Sequence, residues 1–178
     1  MKMLRLITVV FCLTLTPSLY AQLGLYGTFT TAKLNVPAYD NWLYGATFGA
    51  YLASGRLAVL SVGIDARGTF DSRGPTGYYS GAIGPRVALN THILPVSPYV
   101  EATVGVGHAT FSQATPSSVT KFEYQFLGGL DFTVLPRVDW RVAEFSYGSL
   151  TGLNNSSFHP KTISSGIVLR LPRILPLP

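Results

Sequence analysis

Three features of the sequence together predict an all-β fold: apolar residues that alternate with period two, regularly spaced turn-forming segments, and a low content of charge. The 178-residue chain is 47% hydrophobic but only 12% charged, and it contains 18 glycines. From Gly24 onward apolar residues recur at every second position, and no helical period is sustained. The pattern predicts eight antiparallel strands in up-and-down order, closed into a barrel.

The first 21 residues differ from the rest and are predicted to be a signal peptide. Lys2 and Arg5 form a charged start, residues 6–15 are apolar, and a Leu-Tyr-Ala sequence ends at Ala21. The apolar segment has about ten residues, which is too short to cross a membrane as a helix. Cys12 lies within it, so we expect a mature chain without cysteine, disulfide or thiol chemistry.

The barrel is predicted over residues 22–171, and a proline-rich tail over residues 172–178. In chain order, the strands are predicted at residues 24–35, 43–54, 57–70, 77–90, 98–111, 120–134, 138–150 and 161–171. Strands of about 10–14 residues are longer than the usual globular strand and cross a bilayer when tilted. Tight connections are predicted around Ser54, Val96 and Pro136, and longer loops near Tyr39, Gly74, Pro116 and Asn154.

Each predicted strand has an apolar face and a polar face. In the sixth, Phe122, Tyr124 and Phe126 alternate with polar residues that include Glu123 and Gln125. Ionisable residues of both signs occupy the polar faces, which we predict to form an interior network of Asp65, Arg67, Arg86, Glu101, Glu123, Asp131, Asp139, Arg141, Glu144 and Arg170. The network is expected to replace a hydrophobic core, and an ion pathway is the alternative.

Two arrangements fit such strands: a soluble barrel with an apolar core, and a membrane barrel with an apolar exterior and a polar interior. Charges of both signs suit an enclosed interior, where each ion needs a partner. Beyond the predicted signal peptide the lysines are only Lys33, Lys121 and Lys161, whereas a soluble surface usually carries many. Aromatic residues near strand ends, typical of interfacial girdles, are Trp42, Tyr44, Phe70, Tyr79, Phe122 and Trp140. These observations favour the membrane barrel.

The alternation slips once, in the sequence VDWRVAEFSYG of the seventh strand. Glu144 has the parity of Val142, although a carboxylate in lipid is costly. We predict that Glu144 points inward, and that a β-bulge near Val142–Ala143 keeps Phe145 and Tyr147 facing outward. A regular strand, which would place Glu144 outward and Phe145 inward, is the alternative.

Glycines of the polar face and the three histidines are the remaining candidate residues. Gly63, Gly84, Gly105, Gly107 and Gly129 fall on the polar face, where we expect them to make space for arginine side chains; a narrow water-filled interior is the alternative. The histidines, His92, His108 and His159, form no closely spaced pair, so neither a metal site nor a cofactor is expected. His108 and Ser112 near the end of the fifth strand suggest a third possibility, a lipid-modifying enzyme.

The stretch FEYQFLGGLDFTVLPRVDWRVAEFSYG and the terminal TISSGIVLRL resemble the strands of small eight-stranded outer-membrane barrels of the OmpA/OmpX type, within the outer-membrane β-barrel domain family. The resemblance covers nearly all of the predicted mature chain. It implies a bacterial outer-membrane location with both termini in the periplasm, contact with outer-membrane lipid, and insertion by the barrel assembly machinery. Such barrels usually end on an aromatic residue, whereas here the strand ends near Leu171 and PRILPLP follows.

We therefore expect a monomeric outer-membrane barrel with a structural or surface-interaction role, no large open pore and no enzymatic activity. A secreted soluble barrel that binds an apolar ligand is the alternative. Nucleic-acid binding is not expected, because the chain has no run of basic residues.

Overall fold

The computed structural model of the protein describes residues 22–35, 41–57, 59–90, 94–111, 117–151 and 159–172. The predicted signal peptide with Cys12, most of the predicted tail, His92 and Ser112 lie outside these residues. Within the described ranges, no helix is long and apolar enough to cross a membrane.

The structure confirms a closed antiparallel barrel of eight strands. They are β1 (Gln22–Lys33), β2 (Leu43–Leu57), β3 (Leu60–Arg73), β4 (Thr76–Leu89), β5 (Val96–Phe111), β6 (Ser117–Leu135), β7 (Val138–Thr151) and β8 (Lys161–Arg170). Each strand pairs with the next in the chain, and β8 pairs with β1, so no sheet edge is left open. Because the strand number is even, the start of the first strand and the end of the last strand lie at the same end of the barrel. We call this the terminal end and the opposite one the loop end.

Three predicted connections differ from the observed ones. β2 continues through Ser54 to Leu57, with a register shift between Ser54 and Arg56, so the turn comes later than predicted. Val96 begins β5 and is not part of a turn. The loop predicted near Gly74 is a two-residue turn between β3 and β4, and Gly74 has a φ of +61°, a left-handed conformation that glycine adopts without steric cost.

The alternation of side chains separates an apolar exterior from a polar interior. Phe29, Phe48 and Phe126 are about 60% exposed on the outside, at 62%, 59% and 61%. On the inside, Arg141, Glu123 and Asp65 are fully buried. The distribution is the reverse of a soluble domain, in which charged residues are rarely buried and apolar ones form the core.

The structure also contains the predicted bulge in β7. Arg141 pairs with Gly166 of β8 and Glu144 pairs with Ser164, so Val142 and Ala143 lie opposite the single residue Ser165. Glu144 is 2% exposed and faces inward, whereas Phe145 is 58% exposed and faces outward. The alternative of a regular strand is therefore wrong.

Candidate functional site

The centre of the lumen contains a closed ring of six alternating charges, which we call the charge ring. Its members contact one another in the order Arg67, Glu101, Arg86, Asp131, Arg141, Glu144 and back to Arg67. They come from β3, β4, β5, β6 and β7, so the ring connects strands on several sides of the barrel.

The guanidinium of Arg67 donates hydrogen bonds to three carboxylates. It donates from Nε to Oδ1 of Asp65 at 3.0 Å and from Nη1 to Oε1 of Glu144 at 2.8 Å. Its Nη2 donates to Oε2 of Glu101. Because side chains this deeply buried have no bulk water around them, each charge must be neutralised inside the lumen.

Arg86 and Arg141 complete the ring through a shared partner, Asp131. Arg86 donates from Nη1 to Oε1 of Glu101 at 2.6 Å and from Nη2 to Oδ2 of Asp131 at 2.9 Å. Arg141 donates from Nε to Oδ1 of Asp131 at 3.0 Å and from Nη1 to Oε2 of Glu144 at 3.1 Å. Every arginine of the ring therefore bridges two ring carboxylates, and every ring carboxylate bridges two ring arginines.

Three inward-facing tyrosines enclose the charge ring. The guanidinium of Arg86 lies 3.7 Å from the ring centroid of Tyr99 and 4.4 Å from that of Tyr51, and the guanidinium of Arg141 lies 4.2 Å from that of Tyr26. Tyr99 also donates its hydroxyl to Oε2 of Glu144 at 2.6 Å, and Tyr26 donates to Oδ1 of Asp65 at 2.8 Å. Tyr26 and Tyr99 thus cover guanidinium groups with their rings and donate their hydroxyls to carboxylates, whereas Tyr51 contributes its ring.

Two glycines of the inner face, Gly129 and Gly49, provide space for two of these tyrosines, which for Gly129 corrects the expectation that it makes room for an arginine. A Cβ on Gly129 would lie 2.4 Å from Oη of Tyr99, and one on Gly49 would lie 2.3 Å from Oη of Tyr26. At Gly63, Gly84 and Gly105 a Cβ would instead meet the backbone of a neighbouring strand. Gly107 faces Glu123 and Leu150. No arginine atom is among the nearest contacts of these glycines.

The interior on either side of the charge ring is also filled. Towards the terminal end, Arg170 Nη2 lies 2.7 Å from Oδ1 of Asp139. Above the ring, towards the loop end, is a belt of threonine hydroxyls: Thr30 donates to Thr47 at 2.9 Å, and Thr47 and Thr69 are also 2.9 Å apart.

At the loop end the lumen contains an apolar cluster, formed by Ala32, Leu34, Leu43, Tyr78, Ala109 and Leu150. Tyr78 is its polar edge, because its hydroxyl donates to Oε1 of Glu123. Gln125 donates from Nε2 to the same oxygen at 2.7 Å. Glu123 therefore belongs to a group of its own, apart from the charge ring.

The structure thus divides the ten predicted network residues into three groups. Seven of them, Asp65 and the six ring members, form one connected network. Asp139 and Arg170 form a separate ion pair, and Glu123 contacts Tyr78 and Gln125. The inward tyrosines and Asp71 were not predicted from the sequence, although Tyr26 has the parity of Thr28 and Asp71 has that of Arg67.

The contacts of the two described histidines, His108 and His159, are with residues outside the charge ring. His108 faces the exterior near the loop end, where its Nδ1 lies 2.7 Å from Oγ1 of Thr120 and its imidazole is next to the ring of Tyr79. His159 stacks on Tyr147 with a centroid distance of 6.0 Å. Among the described residues no three His, Cys, Asp or Glu side chains are grouped so as to hold a metal ion.

Comparison with solved structures places this fold among small outer-membrane barrels. Neisserial surface protein A aligns with a TM-score of 0.56 and 18% identity, over 85% of this chain and 97% of that one. Ail, the attachment invasion locus protein of Yersinia pestis, aligns with a TM-score of 0.54 and 19% identity, over 86% of this chain and 99% of that one. No protein-family model and no curated protein sequence matches the chain. The chain therefore has the fold of an eight-stranded outer-membrane barrel, and identities this low extend the similarity to the fold alone.

Proposed function

We propose that the protein is an integral barrel of the bacterial outer membrane with a structural or surface-interaction role, and that both termini lie in the periplasm. The observation that carries the proposal is the reversal of polarity, with an apolar exterior around a buried charge ring. The exterior is strongly apolar: the side chain of Phe48 is 59% exposed and that of Phe145 is 58% exposed. Such a surface is stable in lipid and unfavourable in water.

The filled lumen argues against a large open pore. Eight strands leave an interior just wide enough for side chains, and here the charge ring, its tyrosines and the apolar cluster occupy it. We therefore assign the ring a structural role. It stabilises the barrel from within, as a hydrophobic core does in a soluble protein.

The same interior argues against a secreted barrel that binds an apolar ligand, because such a ligand needs an apolar cavity. The proposal also assigns no catalytic activity. His108 contacts the hydroxyl of Thr120, but no described carboxylate contacts the imidazole to orient it as a general base. Loss of a lipid modification in cells that carry His108→Ala would contradict this assignment.

Outer-membrane lipid is the proposed partner of the exterior, and the barrel assembly machinery is the proposed partner during insertion. We propose a monomer, because the closed sheet leaves no strand edge for pairing with another copy. Surface contacts would come from the connections at the loop end, where the turn at Gly74 is only two residues long.

Fractionation and gel migration test the membrane assignment. The protein is expected in the outer-membrane fraction, released only by detergent, and its folded form is expected to migrate differently before and after boiling. A protein that stays folded and soluble without detergent would contradict it.

Labelling of introduced cysteines tests the orientation, since the predicted mature chain has none of its own. Cysteine at Pro75, in the loop-end turn, is expected to react with a membrane-impermeant maleimide on intact cells. Cysteine at Arg137, in the turn between β6 and β7, is the matched control and is expected to react only after the outer membrane is opened. The reverse pattern would overturn the proposed orientation.

A further inference from the structure

Ser165 of β8 is a polar residue on the outer face of the barrel, where its neighbours along the strand are apolar. It alternates with Ile163 and Ile167, which are both exposed on that face, and it lies directly opposite the bulge at Val142–Ala143 of β7. A hydroxyl group away from water costs free energy unless it forms hydrogen bonds. A serine at this point of an apolar surface is therefore expected to have hydrogen-bond partners.

The hydroxyl of Ser165 both donates and accepts a hydrogen bond. It donates from Oγ to the carbonyl oxygen of Arg141 at 3.0 Å, and Oγ accepts a hydrogen bond of 3.2 Å from Nε1 of Trp140. Because an indole N–H can only donate, the direction of this chain of hydrogen bonds is fixed. It runs from Trp140 through Ser165 to the backbone of Arg141, and the hydroxyl proton is directed at the carbonyl group.

The carbonyl group that Ser165 contacts lies where the bulge begins. On the side of β6 the register pairing passes from Arg141 to Ala143, so Val142 is the extra residue that follows this carbonyl. A β-bulge disrupts the hydrogen-bond ladder locally, and on a surface in contact with lipid, as proposed above, water cannot supply a missing donor. The side chain of Ser165 supplies a donor at this point of the ladder.

The preceding residue, Ser164, contacts the other end of the bulge from inside the lumen, where it donates from Oγ to Oε1 of Glu144 at 3.3 Å. Adjacent serines of β8 therefore contact Arg141 on the outer face and Glu144 on the inner face. Both of these residues belong to the charge ring, and because they are three positions apart, both can face the lumen only if an extra residue lies between them. Closure of the ring thus depends on the bulge.

We propose that Ser165 is a conformational device that holds the β7 bulge in place and thereby keeps Arg141 and Glu144 on the same face, where the charge ring closes. The hydroxyl group carries this role, since it is the atom pair Oγ–H that reaches the carbonyl oxygen of Arg141. Ser165 is thus a positioning residue of the ring. It acts through the backbone of β7, from the opposite face of the sheet.

Two substitutions of the same shape test the hydroxyl separately from side-chain size. Ser165→Thr keeps the hydroxyl, whereas Ser165→Val replaces it with a methyl group, and both are compared with the wild type as whole barrels refolded in detergent. The urea midpoint is expected to stay near that of the wild type for Ser165→Thr and to fall for Ser165→Val. In Ser165→Val we also expect faster amide hydrogen exchange, confined to residues 140–145 and 163–167. Failure of Ser165→Val alone to refold supports the proposal, whereas equal midpoints and equal exchange in the two variants overturn it, as does failure of Ser165→Thr to refold.

Removing the bulge tests whether the hydroxyl acts through it. When Val142 is deleted, β7 can pair continuously with β8, and the difference in midpoint between Ser165→Thr and Ser165→Val is expected to disappear. Thr31→Val is the matched control, because Thr31 donates from Oγ1 to the carbonyl oxygen of Ile163 at 3.3 Å where the pairing of β1 with β8 is regular. Its change in midpoint is expected to be the same with and without Val142. A Thr–Val difference at position 165 that is equally large without the bulge overturns the proposal, and so does a shortened chain that cannot refold.

Discussion

Glu144 of β7 accepts a hydrogen bond of 2.8 Å from Nη1 of Arg67, which lies on β3, 77 residues earlier in the chain. The contact closes the charge ring, and it is available only because a bulge two residues earlier turns Glu144 inward. A local irregularity in one strand and a contact across the lumen are therefore parts of the same arrangement.

Breaking the ring at Glu144 should destabilise the barrel. Glu144→Gln keeps the shape but removes the carboxylate charge that Arg67 and Arg141 share and places an amide donor among their N–H groups, and removing one partner of a buried ion pair costs about 3–5 kcal/mol. Urea unfolding in detergent, followed by tryptophan fluorescence, measures the loss. Asp139→Asn, in the less buried pair with Arg170, is expected to lose much less. Equal losses would mean that the ring has no special role.

Arginine at position 141 should not be replaceable by lysine. Arg141 contacts Asp131 and Glu144 from separate nitrogens and lies over the ring of Tyr26, which the compact ammonium of lysine cannot reproduce. Arg141→Lys is expected to lower the free energy of unfolding, measured as above, although the net charge is unchanged. Stability equal to the wild type would show that charge alone is sufficient.

The glycine at position 49 should be required for its small size. A Cβ there would lie 2.3 Å from Oη of Tyr26 and 2.7 Å from the carbonyl oxygen of Ala66, so Gly49→Ala forces the tyrosine or the backbone to move. We expect a loss of about 1–3 kcal/mol, typical of overpacking. Gly81→Ala is the control, since a Cβ there meets nothing within 4 Å, and its urea midpoint is expected to stay near that of the wild type.

The bulge should tolerate a deletion that the regular strand does not. Removing Val142 restores continuous pairing on both sides of β7 and keeps Glu144 inward and Phe145 outward. Removing Phe145 instead places Tyr147 inward, because a shift by one residue moves every following side chain to the other face. Heat-modifiable migration is expected for the first deletion and not for the second. The opposite result would contradict the assigned register.

Much of this arrangement is readable from the sequence, because the pattern of period two reports which face each side chain occupies. Eight strands, the inward charges and the bulge follow from parity and from the cost of a carboxylate in lipid. The order in which the members of the charge ring contact one another cannot be predicted from parity, because it depends on the stagger between strands. Arg86 pairs directly with Glu101, but Arg67 reaches Glu144 across the lumen. The inward tyrosines were missed because an aromatic residue suits either face of such a barrel.

The apolar outer face is expected to contact lipid, and the fluorescence of Trp140 reports this contact directly. Trp140 is 48% exposed on the outer face, and with Trp42→Phe it is the only tryptophan in the chain. In bilayers whose acyl chains carry bromine, its fluorescence is expected to be strongly quenched relative to bilayers without bromine. Equal fluorescence in the two bilayers would place this face away from lipid and would contradict a membrane-spanning barrel.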